Sequence, residues 1–335
     1  MQFERLKRRE FIALLGGAAA WPLAARGQQD ERMQRVGVLI PYPETDGEAR
    51  IQLAAFRDAL QRLGWQEGGN VRVEARWTGG NNGRIRVLAK ELIALQPDVI
   101  VSRSTAVTAV LRQETRTIPI VFVVVSDPVG DGFVASMARP GGNATGFTNV
   151  EASLGGKWLE LLKELMSNLT QVAVVFGRKT SPGGGAYYLR LVEEAAALIA
   201  VRVVPLPVED VAEIEHAIGD FAREPAGGVI VTPDLTTTVH RKRIIEMTEM
   251  HRVPAIYPFR YVVAEGGLVS YGVDVTDLYR RAAGYVDRVL RGDKPADLPV
   301  QAPVKFELAI NSRTAKVLGL TVPPTLLATA DEVIE

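Results

Sequence analysis

Pro41-Tyr42, Arg103-Ser104-Thr105, Ser126-Asp127-Pro128, Gly177-Arg178-Lys179, Thr232-Pro233-Asp234 and Tyr257-Pro258-Phe259-Arg260 each close an apolar run with polar or aromatic side chains. Their chemistry is that of binding. Ser104 and Thr105 at a helix start suit a carboxylate, Asp127 and Asp234 suit an ammonium, and Tyr42 and Tyr257 offer flat faces to an apolar or aromatic body. The set fits a zwitterionic or anionic small molecule, and the expected contacts are Tyr42, Ser104, Thr105, Ser126, Asp127, Gly177, Asp234, Tyr257, Arg260 and Tyr271. Each has a local alternative: a helix cap for Ser104 or Thr105, a turn role for either aspartate, packing for the tyrosines. Their clustering at strand ends is what favours a site.

Reactive constellations are harder to find. His216, His240 and His251 fall on helical stretches without the i, i+4 pairing of a zinc helix. Ser270 has glycines at positions 267 and 272, so the nucleophile-elbow spacing fails by one residue. Gly183-Gly184-Gly185 lacks both the spacing and the trailing Lys-Ser/Thr of a phosphate-binding loop. Asp127 and Asp131 are a candidate carboxylate pair, but Asp127-Pro128 reads more simply as a loop leaving a strand. No catalytic residue, metal or cofactor is expected, and the chain is not expected to be an enzyme.

The elements that must position these residues alternate strictly. Strands are expected at Val36 to Ile40, Val71 to Trp77, Val99 to Val101 and Ile120 to Val125. Between them lie helical stripes such as Leu53, Phe56, Leu60 and Leu63, and a helix opening at Ser104-Thr105. After Gly141-Gly142-Asn143-Ala144-Thr145-Gly146 the pattern restarts, with strands at Val172 to Phe176, Val201 to Val204, Gly228 to Thr232 and Ala255 to Tyr257. Continuous apolar strands joined by helices imply parallel sheets covered on both faces. A chain of 335 residues exceeds what one core normally serves, so two lobes are expected. Further elements after the second set, at Leu278 to Val289 and Phe306 to Leu318, imply that the chain crosses back between the lobes.

Lys7-Arg8-Arg9-Glu10-Phe11-Ile12, the weakly apolar run after it and the small residues Ala25 and Gly27 read as a cleavable export signal. The paired Arg8-Arg9 points to the twin-arginine route, with cleavage near Gly27/Gln28 and a periplasmic mature protein. Removing five basic and two acidic residues takes the formal charge from zero to −3, with no basic block for nucleic acid. There are no cysteines, hence no disulfide, no thiolate metal site and no lipid anchor.

Several ordered stretches resemble one family. The opening from Lys7 to Arg26, Ile118-Pro119-Ile120-Val121-Phe122 with Asp127-Pro128-Val129, Arg139 to Gly146, Gly266 to Gly272, Lys294 to Val300, Lys305-Phe306-Glu307-Leu308 and Ala315 to Glu335 are similar to the TrpX-like substrate-binding proteins of ABC transporters. That resemblance spans essentially the whole chain. It implies α/β architecture of the type 1 periplasmic-binding-protein fold: two Rossmann-like lobes with parallel sheets, joined by a three-crossover hinge and clamping a ligand without catalysis. Lobe 1 is expected over residues 33–146 plus about 273–298, and lobe 2 over 147–272 plus about 299–335. The hinge is expected at Thr145, Gly146, Tyr271, Gly272, Pro299 and Val300. Carried over by resemblance, the site comprises the Asp127 loop, the Ser104-Thr105 helix start, and Gly177, Asp234 and Tyr257. The chain departs from the family pattern at Gly177-Arg178-Lys179, where an Asn-Pro loop is common, and at Leu235, where an aromatic is common. The implied partners are a small-molecule ligand, with an amino acid as the leading candidate, and an inner-membrane ABC permease with its ATPase. The protein is expected to be monomeric. Alternatives are a ligand-sensing module for a signalling partner and, less favoured, an exported enzyme.

Overall fold

The computed structural model describes residues 33–335. The expected export signal, with Arg8, Arg9 and the cleavage point, lies outside the described residues. The first lobe comprises β1 (Gln34–Ile40), α1 (Gly47–Arg62), β2 (Val71–Trp77), α2 (Asn82–Ala94), β3 (Val99–Arg103), α3 (Thr105–Glu114), β4 (Ile120–Val125) and β5 (Ala144–Thr148). Its strands pair in parallel in the order β2-β1-β3-β4-β5. Every residue of β3, β4 and β5 is buried, as it must be where helices cover both faces.

The second lobe repeats the scheme with α4 (Leu154–Leu165), β6 (Gln171–Gly177), α5 (Ala186–Leu198), β7 (Arg202–Val208), α6 (Val211–Phe221), β8 (Gly227–Val231), α7 (Leu235–Val239), α8 (Arg241–Met250), β9 (Ala255–Tyr257), α9 (Arg260–Ala264) and β10 (Val269–Val273). The chain then returns to the first lobe as α10 (Val275–Leu290), whose apolar face of Leu278, Tyr279, Ala282, Ala283 and Val286 packs on α1 and the strands beneath it. Finally β11 (Phe306–Asn311), α11 (Ser312–Val317), α12 (Pro324–Thr329) and β12 (Glu332–Ile334) complete a second sheet ordered β12-β11-β10-β9-β8-β6-β7. Its pairs are parallel except β10 with β11, so β11 and β12 run opposite to the other five strands. The sequence reading placed one strand and one helix at the carboxyl end; α12 and β12 are additional, and each is too short to show a period. Pro205 and Pro207 lie on β7, an edge strand, where a missing N–H costs no ladder bond.

One buried cluster runs through the first lobe and on to one face of the second sheet, through Val175, Ile214, Val229 and Ile244; the other lies on the opposite face of that sheet and is centred on Trp158, Leu161, Leu162 and Leu165 of α4. Trp158 is fully buried and its Nε1–H donates to the Tyr271 carbonyl at 2.9 Å. The chain passes between the sheets after Thr148, after Val273, and along the stretch that leads into β11. Around these passages the backbone is tightly laced. Val300 N–H donates to Met137 O at 2.7 Å, Gln301 N–H to Gly146 O at 2.9 Å, and Thr148 N–H to Gln301 O at 2.9 Å. Thr145 Oγ1 donates to Leu298 O at 2.6 Å, and the Tyr285 hydroxyl to Pro299 O at 2.6 Å. Two glycines allow the close approach: a Cβ on Gly146 would lie 2.0 Å from Phe122 O, and one on Gly272 would lie 1.9 Å from Pro258 O.

Candidate functional site

Strand order reverses once in each sheet, between β1 and β3 in the first and between β6 and β8 in the second. The crevice beyond the carboxyl ends of strands at such a point is where open α/β sheets take ligands. Here the two crevices face each other.

At the first, Tyr42 follows β1 and Arg103 ends β3, with the guanidinium 4.3 Å above the phenol ring. Both are buried. Each also reaches the other lobe: the Arg103 guanidinium lies beside the hydroxyl of Tyr261, and the Tyr42 hydroxyl lies beside Thr238. Burial pushes the phenols of Tyr42, Tyr261 and Tyr279 above their ordinary value, so all three are neutral hydroxyls near neutral pH. Backbone strain collects at the same place. Ser104 has φ +85°, and Val124, a β-branched residue, has φ +58° where β4 slips register between Val123 and Val125. Ser104 Oγ caps α3 through Val107 N–H at 3.4 Å, and Thr105 opens the helix.

At the second crevice, Asp234 accepts from Gly177 N–H at 2.9 Å, Thr180 Oγ1 at 2.9 Å, Thr232 Oγ1 at 2.8 Å and Thr237 N–H at 3.2 Å. Its carboxylate is spent on the second lobe's own loops. Gly177 is pinned against them, since a Cβ there would lie 2.2 Å from Thr180 Oγ1.

Beyond β4, Ser126 Oγ donates to Asn149 Oδ1 at 3.0 Å and shares a bond of 2.7 Å with the hydroxyl of Tyr188 on α5. Burial, then the charge of Asp234, raises the Tyr188 phenol well above its ordinary range. Asp127 accepts from Gly130 N–H at 2.9 Å, closing its own turn. Asp131 faces the Gly183 N–H across the junction, and burial together with the Asp127 charge pushes its carboxyl up to about 6. An acid with a raised folded-state value destabilises the fold fully above that value, less as the pH falls from about 6 towards 3.8, and not at all only below its unfolded value. Asp131→Asn is therefore expected to raise the Tm at pH 8 by clearly more than at pH 4.5, read by paired thermal melts.

A third link between the lobes is ionic. Arg241 Nη2 lies 2.8 Å from Asp46 Oδ2, while its Nε and Nη2 grip Glu265, each at 2.8 Å. Buried polar atoms normally find partners. Arg103 Nε, Asn149 Nδ2, Ser181 Oγ and Asp131 Oδ2 have none, and all four lie at the strand ends and loops of this junction.

The structure thus brings together Tyr42, Ser104, Thr105, Ser126, Asp127, Gly177 and Asp234 along the facing strand ends. Three expected contacts lie apart. Tyr257 is buried inside the second lobe with its hydroxyl 2.9 Å from Thr248 Oγ1, because its side chain points to the helix face of the sheet rather than past the strand end. Arg260 is exposed and pairs with Glu332 at 2.7 Å and Glu307 at 3.6 Å. Tyr271 stacks on Phe306 at 5.6 Å within the second sheet. Asp46, Arg241, Tyr188, Tyr261 and Asn149 were not expected. Arg241 sits in the run Arg241-Lys242-Arg243, which looks like a solvated helix face, and its partner Asp46 is 195 residues away in sequence. Arg103 alone carried a local signal, as the last residue of a strand before a capping serine.

His216 is exposed and pairs with Asp220 at 3.0 Å. Among the described residues no three side chains of metal-binding type converge. A groove of about 1030 Å³ runs between α1 and β2, but every residue lining it, from Glu44 to Trp77, belongs to the first lobe, so it is not a junction site.

Two α/β lobes with facing switch points have the type 1 periplasmic-binding-protein fold. Residues 42–334 match the model of the ABC transporter substrate binding protein family, and the chain belongs to that family. It is 25% identical over 293 residues to a tyrosine-binding protein of Clostridioides difficile, covering 87% of this chain and 82% of the relative. Among solved structures it is similar to an ABC domain in complex with L-Trp from Streptococcus pneumonia, at 23% identity and TM-score 0.83, covering 90% of this chain and 99% of the other. A ligand-free, open substrate binding protein with adhesive properties from Clostridium difficile aligns at 20% identity and TM-score 0.66, covering 90% and 99%. No helix among the described residues is long and apolar enough to cross a membrane.

Proposed function

We propose that the chain binds an amino acid, aromatic in side chain, between its two lobes and delivers it to the permease of an ABC importer, without chemical change to the ligand. The observation that carries this reading is the set of buried, unpartnered polar atoms contributed to one junction by both lobes: Arg103 Nε, Asp131 Oδ2, Asn149 Nδ2 and Ser181 Oγ. Tyr42, Tyr188 and Tyr261 make the same junction rich in aromatic rings, a setting that suits an aromatic body. The acidic pair Asp127 and Asp131 offers negative charge for an ammonium. Relatives that bind tyrosine or hold L-Trp support the choice of ligand class.

The lobes divide at the passages after Thr148 and Val273 and along residues 299–305, and these segments turn as the lobes close. Contacts available only when both lobes touch the ligand shift the population toward the closed form. A micromolar Kd, about −8 kcal/mol, permits both capture and release. The mature chain works as a monomer in the periplasm, after the amino-terminal signal is removed. The test is a thermal-shift screen of residues 33–335 against the amino acids and a panel of sugars. A ligand at a hundred times its Kd raises stability by about 2.7 kcal/mol, roughly 5 °C in Tm for a chain of this size. Such a shift with L-tyrosine or L-tryptophan is expected; a shift with a sugar alone contradicts the ligand class.

A further inference from the structure

We infer that Arg103 is the anchor for an anionic group of the ligand, a carboxylate, and that it sets the preference for acids over their neutral analogues. This rests on the proposed ligand site and assigns its anionic end.

Arg103 is only 2% exposed, and a guanidinium cannot shed its charge on burial. A buried cation without a counter-charge is costly, so such groups are paired in nearly all proteins. Among the described residues none pairs with Arg103. Its electrostatic neighbours are the phenols of Tyr42, Tyr261 and Tyr279, while Asp46 and Glu265, the acids at the ionic link between the lobes, are both bonded to Arg241.

The head group is nonetheless held in place. The Tyr42 ring stacks on its face at 4.3 Å, and the Tyr261 hydroxyl lies beside it from the opposite lobe. Nε–H is left buried and without an acceptor. A fixed donor with no acceptor is what a preorganised ligand contact looks like before the ligand arrives.

A second source of positive potential adjoins it. Arg103 directly precedes Ser104, the N-cap of the ten-residue helix α3, whose amino end carries a partial positive charge. Ser104 Oγ accepts from Val107 N–H, while the first-turn N–H groups of Thr105 and Ala106 have no acceptor inside the helix. A planar group with two oxygens could take the guanidinium edge on one side and these N–H groups on the other. A neutral amide or ester at that position would leave the buried charge uncompensated.

The experiment is calorimetry at a pH where the ligand amines are all protonated, with L-tryptophan and L-tyrosine beside their carboxamides, on the wild-type chain and on Arg103→Met. Charge-assisted bonds to a carboxylate are expected to make the wild type favour each acid by about 100-fold. In Arg103→Met that ratio should collapse to within about 3-fold, since the amide never used the charge. A variant that binds acid and amide in the wild-type ratio overturns the assignment and leaves the ligand site standing. A wild type that binds neither acid overturns the site reading and the assignment with it. Because removing a buried arginine can unfold a lobe, the Arg103 Nε–H resonance of the unmutated protein supplies an independent readout. It should move on adding the acid and stay in place on adding the amide; a resonance unmoved by saturating acid overturns the assignment.

Discussion

Asp234→Ala is expected to lower the Tm by about 10 °C and to abolish tight ligand binding. The carboxylate sits under the second lobe's switch point and takes four donors: the Gly177 and Thr237 amides and the Thr180 and Thr232 hydroxyls. Hydrogen bonds to a buried charge contribute about 1.5–3 kcal/mol each, and those that share one acceptor add up to less than their sum. A loss of about 4 kcal/mol follows, with the stranded amides accounting for much of it. At roughly 2–3 °C per kcal/mol this gives the stated fall in Tm. Asp234 also caps the short helix α7, which carries the Thr238 that meets Tyr42 across the junction. Stability and affinity should therefore fall together. Asp234→Asn keeps one acceptor oxygen and should recover part of both, whereas a Tm unchanged in the alanine variant would show that these bonds are not formed.

The second large effect is expected at Arg241. Arg241→Met removes one cation from two carboxylates, and breaking a largely buried pair costs about 3–5 kcal/mol. Asp46→Ala separates the two parts of that loss. It severs only the link between lobes and an N-cap bond to Ala49 N–H, so its stability cost should be about 1 kcal/mol. The conformational effect should instead be shared by both variants. On the proposed closure of the lobes, loss of the Asp46 contact weakens the closed form relative to the open one, and the apparent affinity falls with the closed population. A tenfold weaker Kd corresponds to about 1.4 kcal/mol of lost closure. Small-angle scattering of the ligand-free Asp46→Ala chain should give a larger radius of gyration than wild type. Equal radii would assign the ion pair to static packing.

Much of the architecture was legible because period and composition are local signals. Ile120-Val121-Phe122-Val123-Val124-Val125 contains no polar residue, and it is a fully buried central strand. Trp158, Leu161, Leu162 and Leu165 recur at helical spacing, and they form the buried face of α4. The strand-end segments at Tyr42, Ser104, Ser126 and Gly177 do meet at one junction, because parallel sheets put all such ends on one side. Pairings between lobes left no such trace. Asp46 with Arg241, Ser126 with Tyr188 and Arg103 with Tyr261 join residues far apart in the chain, and neither partner is unusual in its local setting. Tyr257 shows the converse. It ends an apolar run like the others, yet its side chain alternates inward and its hydroxyl is used up on Thr248. The antiparallel course of β11 was also hidden, since strand direction depends on a connection whose path the residues alone do not reveal.

Hydrogen–deuterium exchange of the chain, with and without saturating L-tyrosine or L-tryptophan, tests the account most directly. Protection is predicted to rise together in segments 103–107 and 126–132 of one lobe and in 177–186 and 234–240 of the other, with no change along the α1/β2 groove. Protection confined to a single lobe or to that groove, or no protection from either amino acid, would contradict it.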